Sequence, residues 1–388
     1  MTAARFIIFL ILIVVLAGIL FLWVAAGGAT VAKEHARRVL SPAVSVPHPT
    51  GAHRVGLQTL TLSIDGTAIP VDVWYPSATP TASLSQKARG AMRTVTHPTH
   101  ASAQPGAPLA RATKRLPLIV YFPAWFSTRE DNSYLLADLA SHGFVILALD
   151  DIVHNRGLGD PRLLDASLDY GSDEGFARSL VLAGARVHLA GVTAARAVDD
   201  FARQSPWAEA VDTGRIGALG FSFGGSSAAE FSKIDPRVAA VVNMEGSTYG
   251  ASGESGVDVP YLFLSGGAFF TPVSDLASPD GAIRYEAQLT KIELARLFAA
   301  PETTETLVIP PASHVDFSDR RVWPGRADAA GDPLARAALS EAIHGAVIGF
   351  FETTLGDERH APLAESLPDV LDLDTARALA RERGSILP

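Results

Sequence analysis

Ser222, Glu245 and His314 have the types, surroundings and chain order that covalent catalysis by a hydroxyl requires. Ser222 stands in Gly220-Phe221-Ser222-Phe223-Gly224-Gly225, behind the apolar run Arg215-Ile216-Gly217-Ala218-Leu219 and ahead of the small-residue stretch Ser226-Ser227-Ala228-Ala229-Glu230-Phe231. A G-x-S-x-G string is common by chance, but between a strand and a helix it has a mechanical reading. The chain turns so sharply that the flanking residues carry almost no side chain. The turn lifts the Ser oxygen out of the sheet edge and sets the next N–H, that of Phe223, beside it as an oxyanion donor. A Ser hydroxyl is a poor nucleophile at neutral pH and needs a base in hydrogen-bond reach, itself oriented by a carboxylate.

In sites built this way the acid and then the base follow the nucleophile along the chain. Of the 11 histidines, three come after Ser222. His344 lies inside an apolar helical stretch and His360 in a charged tail, whereas His314 occupies the loop Pro310-Pro311-Ala312-Ser313-His314-Val315-Asp316-Phe317 after the last strand, at the same sheet edge as the Ser turn. His314 is therefore the expected base. Two carboxylates compete for the acid. Glu245 ends the strand Val238 to Asn243 and precedes Gly246, while Asp275 lies in the loop after the following strand; Asp258 is on the wrong side of the sheet. Glu245 is preferred, with Asp275 as the alternative. The second oxyanion donor belongs to the turn Phe122-Pro123-Ala124-Trp125-Phe126. Pro123 has no N–H, so Ala124 or Trp125 must supply it, and Trp125 is taken. The rings of Trp125 and Phe126 there suit an apolar acyl or alkyl group, though core packing explains them equally well.

These residues need a sheet to hold them. Leu57 to Ile64 and Ile69 to Tyr75 alternate as two strands about the turn Asp65-Gly66. Leu116 to Phe122 and Phe144 to Leu149 are buried strands with helical spacing between them, which makes a right-handed βαβ unit. A long amphipathic helix from Arg178 to Arg203 leads to the nucleophile strand. Strands at Val238 to Asn243, Pro260 to Ser265 and Thr306 to Ile309 follow, with helices at Ile283 to Phe298 and Leu334 to Leu355. The class expected is α/β, a mostly parallel central sheet flanked by helices. Residues 150–176, rich in Gly and Asp, leave the carboxyl end of a strand, where ligands bind in open sheets, and read as a lid, a pocket wall or an ordinary solvated loop. Residues 76–115, rich in Pro, Ser, Thr and Ala, read as a long disordered excursion. His97 and His100 in that stretch have no carboxylate nearby and make no metal set.

Among the 388 residues the formal charge of −9 argues against a nucleic-acid partner, and the absence of cysteine excludes disulfides, a thiolate nucleophile and Cys-ligated metal. Phe6 to Ala26 is a run of 21 residues without a charge. As a helix it would span about 31 Å, enough for a bilayer core. It is longer than the apolar stretch of a cleaved signal, so residues 1–32 are expected to be a membrane anchor or uncleaved signal. Residues 33–55 are expected to be a stalk, residues 56–355 the catalytic domain, outside the cytoplasmic membrane, and residues 356–388 a peripheral acidic tail.

The chain resembles the platelet-activating-factor acetylhydrolase-like branch of the α/β-hydrolases, which is related to the dienelactone hydrolases. Val73-Trp74-Tyr75-Pro76, Asp138-Leu139-Ala140-Ser141-His142-Gly143-Phe144, the Ser222 turn, Val242-Asn243-Met244-Glu245-Gly246 and His314 with Asp316-Phe317 are similar to segments of that family in the same order. The resemblance covers roughly Gly56 to Leu355 and implies an α/β-hydrolase fold. It also implies an ester hydrolase working without metal or cofactor, on small-molecule esters or short-acyl lipid esters, and supports Glu245 as the acid. Three positions depart from the family pattern: Phe221 where a His is usual, Pro123-Ala124 in place of His-Gly, and Glu245 in place of Asp. The expectation is a membrane-anchored serine carboxylic-ester hydrolase with a Ser-Glu-His triad. The alternative is a non-catalytic scaffold of the same fold that binds a ligand or partner at the cell envelope.

Overall fold

Runs such as LPLIVYF and PYLFLS have no polar face to give to solvent, so strands made from them need helices on both sides. The computed structural model has one ten-stranded sheet between two apolar layers. The structure describes residues 48–78, 103–155, 157–165, 167–319, 333–356, 370–382 and 384–385. The chain divides into two units, Met1–Val46 with Arg321–Pro333 and Pro47–Arg320 with Leu334–Pro388; the sheet belongs to the second.

The strands are β1 (Arg54–Ile64), β2 (Thr67–Ser77), β3 (Ala103–Pro105), β4 (Leu116–Phe122), β5 (Val145–Ala148), β6 (Val211–Phe221), β7 (Val238–Met244), β8 (Tyr261–Gly266), β9 (Thr304–Ile309) and β10 (Leu371–Asp372), in the order β10-β9-β8-β7-β6-β4-β5-β2-β1-β3. From β5 to β9 all neighbours are parallel, and the β1–β2 hairpin joins β5 antiparallel. The helices are α1 (Ser133–Ser141), α2 (Pro161–Asp165), α3 (Asp173–Gln204), α4 (Phe223–Ile234), α5 (Gly250–Ser255), α6 (Gly281–Ala299), α7 (Pro333–Thr354) and α8 (Leu373–Glu382). Alternation along the strands divides the core. Ile119, Tyr121, Ile146 and Leu219 pack with Leu135 and Leu139 of α1 and Val347 and Phe351 of α7. Leu118, Val120, Leu147 and Ala218 pack with Val198 and Phe201 of α3 and Phe231 of α4 on the other face. Each such large apolar side chain contributes about 1.5–3 kcal/mol on burial.

Register lines up the carboxyl ends of the strands. Phe122 pairs with Gly220, Phe221 with Met244, Met244 with Leu264, and Gly266 with Ile309. The turns after β4, β6, β7 and β9 therefore open at one edge.

Some segments differ from expectation. Residues 103–105, read as part of a disordered excursion, form β3 parallel to β1, and the Tyr75 hydroxyl donates to the Ala107 carbonyl at 2.6 Å. The edge of β1 offers backbone groups that any sequence can pair, so no side-chain period announces this strand. Residues 371–372 of the tail read as peripheral pair with β9 as β10, and α8 buries Ala376 and Ala380. Helix α3 begins at Asp173, inside the segment read as a connection, because Ser172 caps it by accepting from the Gly175 N–H at 3.0 Å. The end of the segment read as a stalk is tied down: Thr50 donates from its N–H and its hydroxyl to Asp138 Oδ1 at 2.7 and 2.8 Å. Residues 54–55 already belong to β1. Phe6 to Ala26 and residues 79–102 lie outside the described residues. Among the described residues no helix is long and apolar enough to cross a membrane.

Candidate active site

The turn between β6 and α4 holds Ser222 at φ 55° and ψ −127°, a strained conformation for a residue with a side chain. Such strain costs of order 1–3 kcal/mol and persists where surrounding structure over-determines it. Here close packing does so. A Cβ on Gly220 would lie 2.0 Å from the Gly224 carbonyl oxygen, and one on Gly224 would lie 2.1 Å from that of Phe122. Neither position can carry a side chain, and the end of β4 rests directly against the Ser turn.

Glu245 follows β7 and is also left-handed, at φ 60°. Its N–H donates to the Leu264 carbonyl at 2.9 Å. Beneath it Asn243 is fully buried; its Oδ1 accepts from the Gly246 N–H at 2.8 Å, and its amide donates to the Gly246 carbonyl at 2.7 Å and the Tyr261 hydroxyl at 2.9 Å. The brace aims Glu245 across β8 toward the loop after β9. One carboxylate oxygen accepts from the Gly266 N–H at 2.8 Å and the other lies 2.7 Å from His314 Nδ1. His314 Nε2 is 2.9 Å from Ser222 Oγ. A carboxylate only accepts, so Nδ1 is the donor and the neutral ring presents Nε2 to the Ser hydroxyl. His314 begins a 3₁₀ turn, His314–Phe317, held by Asp316, which accepts from the N–H and hydroxyl of Ser313 at 2.8 and 2.6 Å. Its side chain is 52% exposed while that of Glu245 is 8% exposed, so the imidazole is open to solvent and the carboxylate bonded to it is covered. Phe221, where the resembled family has His, is buried with its ring centroid 5.0 Å from that of His314.

The structure thus joins Ser222, His314 and Glu245 by hydrogen bonds and leaves Asp275 half-buried in a separate 3₁₀ turn, Val273–Ala277. On the oxyanion side, the Ala124 N–H donates to Asp131 at 3.1 Å and the Phe126 N–H donates to Asp151 at 2.8 Å. The N–H groups of Trp125 and Phe223 carry no hydrogen bond among the described residues. The Trp125 ring meets the Phe223 ring edge-on at 4.3 Å. Asp131, Asp151 and Arg186, which brace this loop, are absent from the sequence-based expectations. They belong to no motif, and the Asp150-Asp151 pair after a strand is the one hint they leave. Among the described residues no group of three or more His, Cys, Asp or Glu side chains is placed to hold a metal ion.

A mostly parallel sheet between helical layers, with a strained Ser on the turn after β6 and a His after the last parallel strand, defines an α/β-hydrolase fold. The sequence matches the Dienelactone hydrolase family over residues 106–267, which includes β4 through β8 and Ser222 and Glu245. Among solved structures the chain is similar to a ferulic acid esterase from Streptomyces cinnamoneus, with a TM-score of 0.57 and 21% identity over 86% of this chain and 100% of that one. No curated protein matches the sequence. The family match supports a hydrolase of the α/β-hydrolase superfamily, and the likeness to the solved structure shows the same fold.

Proposed function

We propose that this chain is a serine carboxylic-ester hydrolase in which Ser222, His314 and Glu245 are the triad. The observation that carries the reading is the unbroken path Ser222 Oγ, His314, Glu245, with links of 2.9 and 2.7 Å. His314 Nε2 takes the hydroxyl proton as Ser222 Oγ bonds to the acyl carbon, and the N–H groups of Phe223 and Trp125 stabilise the oxyanion. The C–O bond to the alcohol breaks and His314 returns the proton to it. Water then attacks the acyl-enzyme by the same route and releases the acid. Glu245 stabilises the imidazolium and holds its tautomer. Trp125, Phe126 at 49% exposure, Phe223 and Tyr249 give the nucleophile an aromatic border, which favours esters with an apolar acyl or alkyl group, short-acyl lipid esters among them. In this proposal Phe6 to Ala26 anchors the enzyme, with the catalytic unit outside the cytoplasmic membrane.

The test is labelling with a fluorophosphonate followed by peptide mass spectrometry. Ser222 is expected to carry the phosphonate in the native chain and to lose it in His314→Ala, and Ser222→Ala is expected to abolish hydrolysis of p-nitrophenyl acetate. A Ser222→Ala chain that keeps native turnover overturns the reading.

A further inference from the structure

The loop after β4 is gripped on both sides of one residue. Ala124 gives its N–H to Asp131, a carboxylate also bonded to the Tyr121 hydroxyl, and Phe126 gives its N–H to Asp151. Both carboxylates are 8% exposed or less. Trp125, between them, keeps its N–H unengaged among the described residues. Phe126 is held at φ 57°, a left-handed conformation that a bulky residue adopts only under constraint.

Asp151 in turn needs a partner, because an isolated buried carboxylate is costly. That partner is Arg186 from the middle of α3. It is fully buried, with its guanidinium 3.2 Å from Asp151 Oδ1 and donating to the Leu164 carbonyl at 2.9 Å. The same guanidinium lies 4.1 Å from the centre of the Trp125 ring and 5.3 Å from that of Phe126. Planar stacking on an aromatic face combined with a carboxylate contact is something arginine does and lysine does not. Arg186 thus touches the loop through the Trp125 ring and, by way of Asp151, through the Phe126 N–H. The loop lies against the nucleophile, since Gly224 admits the Phe122 and Pro123 carbonyls within 2.4 Å of where its Cβ would stand.

We propose that Asp151 and Arg186 are positioning residues for the oxyanion, holding the Trp125 N–H as the second donor beside Ser222. The inference rests on the ester-hydrolase reading and explains how a loop with Pro123-Ala124 still presents a donor.

Two measurements test it. The first uses the native full chain and amide hydrogen exchange at single-residue resolution over residues 124–126, before and after reaction with a fluorophosphonate. Ala124 and Phe126 are expected to exchange slowly, and Trp125 quickly until Ser222 carries the phosphonate and then slowly. Ser222 that takes no phosphonate ends the hydrolase reading and this inference with it. Ser222 labelled while the Trp125 amide is unchanged overturns the inference alone. The second compares Arg186→Lys and Asp151→Asn with the native chain on p-nitrophenyl acetate, with circular dichroism to show that each is folded. A displaced oxyanion donor lowers kcat by about 10- to 100-fold and leaves KM within about twofold. Native kcat in both folded variants overturns the positioning role, and if either variant fails to fold the exchange pattern of the native chain decides.

Discussion

Both oxygens of Glu245 are engaged, one by the Gly266 N–H and one by His314 Nδ1, so the carboxylate has a single orientation. An amide in its place turns one of these contacts into donor against donor, since Gln has one acceptor oxygen where the carboxylate has two. Glu245→Gln is therefore expected to lower kcat by roughly 10²–10⁴-fold. Asp275→Asn, changed in the separate turn Val273–Ala277, is expected to stay within about twofold of native. Steady-state kinetics on one ester decide it, and the opposite ranking would move the acid to the loop after β8. The Glu245 backbone stands one strand away from β9, with β8 between them, and the length of a Glu side chain spans the gap to His314.

At the scale of elements, the turn that carries Glu245 depends on Asn243. Replacement by Leu removes three hydrogen bonds and strands the Gly246 N–H and the Tyr261 hydroxyl in the interior. Each buried group left unsatisfied costs about 1–3 kcal/mol, so Asn243→Leu should lower the Tm by several degrees and reduce kcat as well. Unchanged melting would show that the brace carries no stability. A second joint ties the start of the described chain to α1 through Asp138. Burial pushes the Asp138 carboxyl up, but hydrogen bonds from His344 and Thr50 outweigh it and hold the group below its usual range. A carboxylate depressed in the folded state contributes stability above its unfolded value near about 3.9 and loses it as pH falls through the lower folded value. The Tm gap between the native chain and Asp138→Asn is thus expected to be largest above about pH 4 and to shrink in acid. A gap that is the same at low pH and at neutrality would rule out this linkage.

For the whole molecule, the far edge of the sheet bears on the site. β10 covers the edge of β9, the strand that delivers His314. Removing residues 357–388 would expose a row of unpaired backbone groups, a template for intermolecular pairing. The truncated chain is expected to melt lower, to form larger species on gel filtration, and to lose turnover before it loses its far-ultraviolet dichroism. A monomeric truncated chain with native turnover would show that the tail is dispensable.

Ser222 and His314 could be singled out from the chain alone because their signals are local: glycines that a sharp turn demands, apolar runs on either side, and one His in the loop that directly follows the strand Thr306 to Ile309. The buried strands β4 through β9 were legible for the same reason, since a strand covered on both faces must be apolar at almost every position. The rest required the tertiary structure. Whether Glu245 or Asp275 reaches His314 depends on the register of β7, β8 and β9 and on a left-handed backbone at Glu245, neither of which is written in spacing. β3 and β10 arise from backbone pairing at open edges, which leaves no side-chain pattern. Asp131, Asp151 and Arg186 come together from three separate segments around one loop, and no one of those segments has a reason of its own to hold a buried charge.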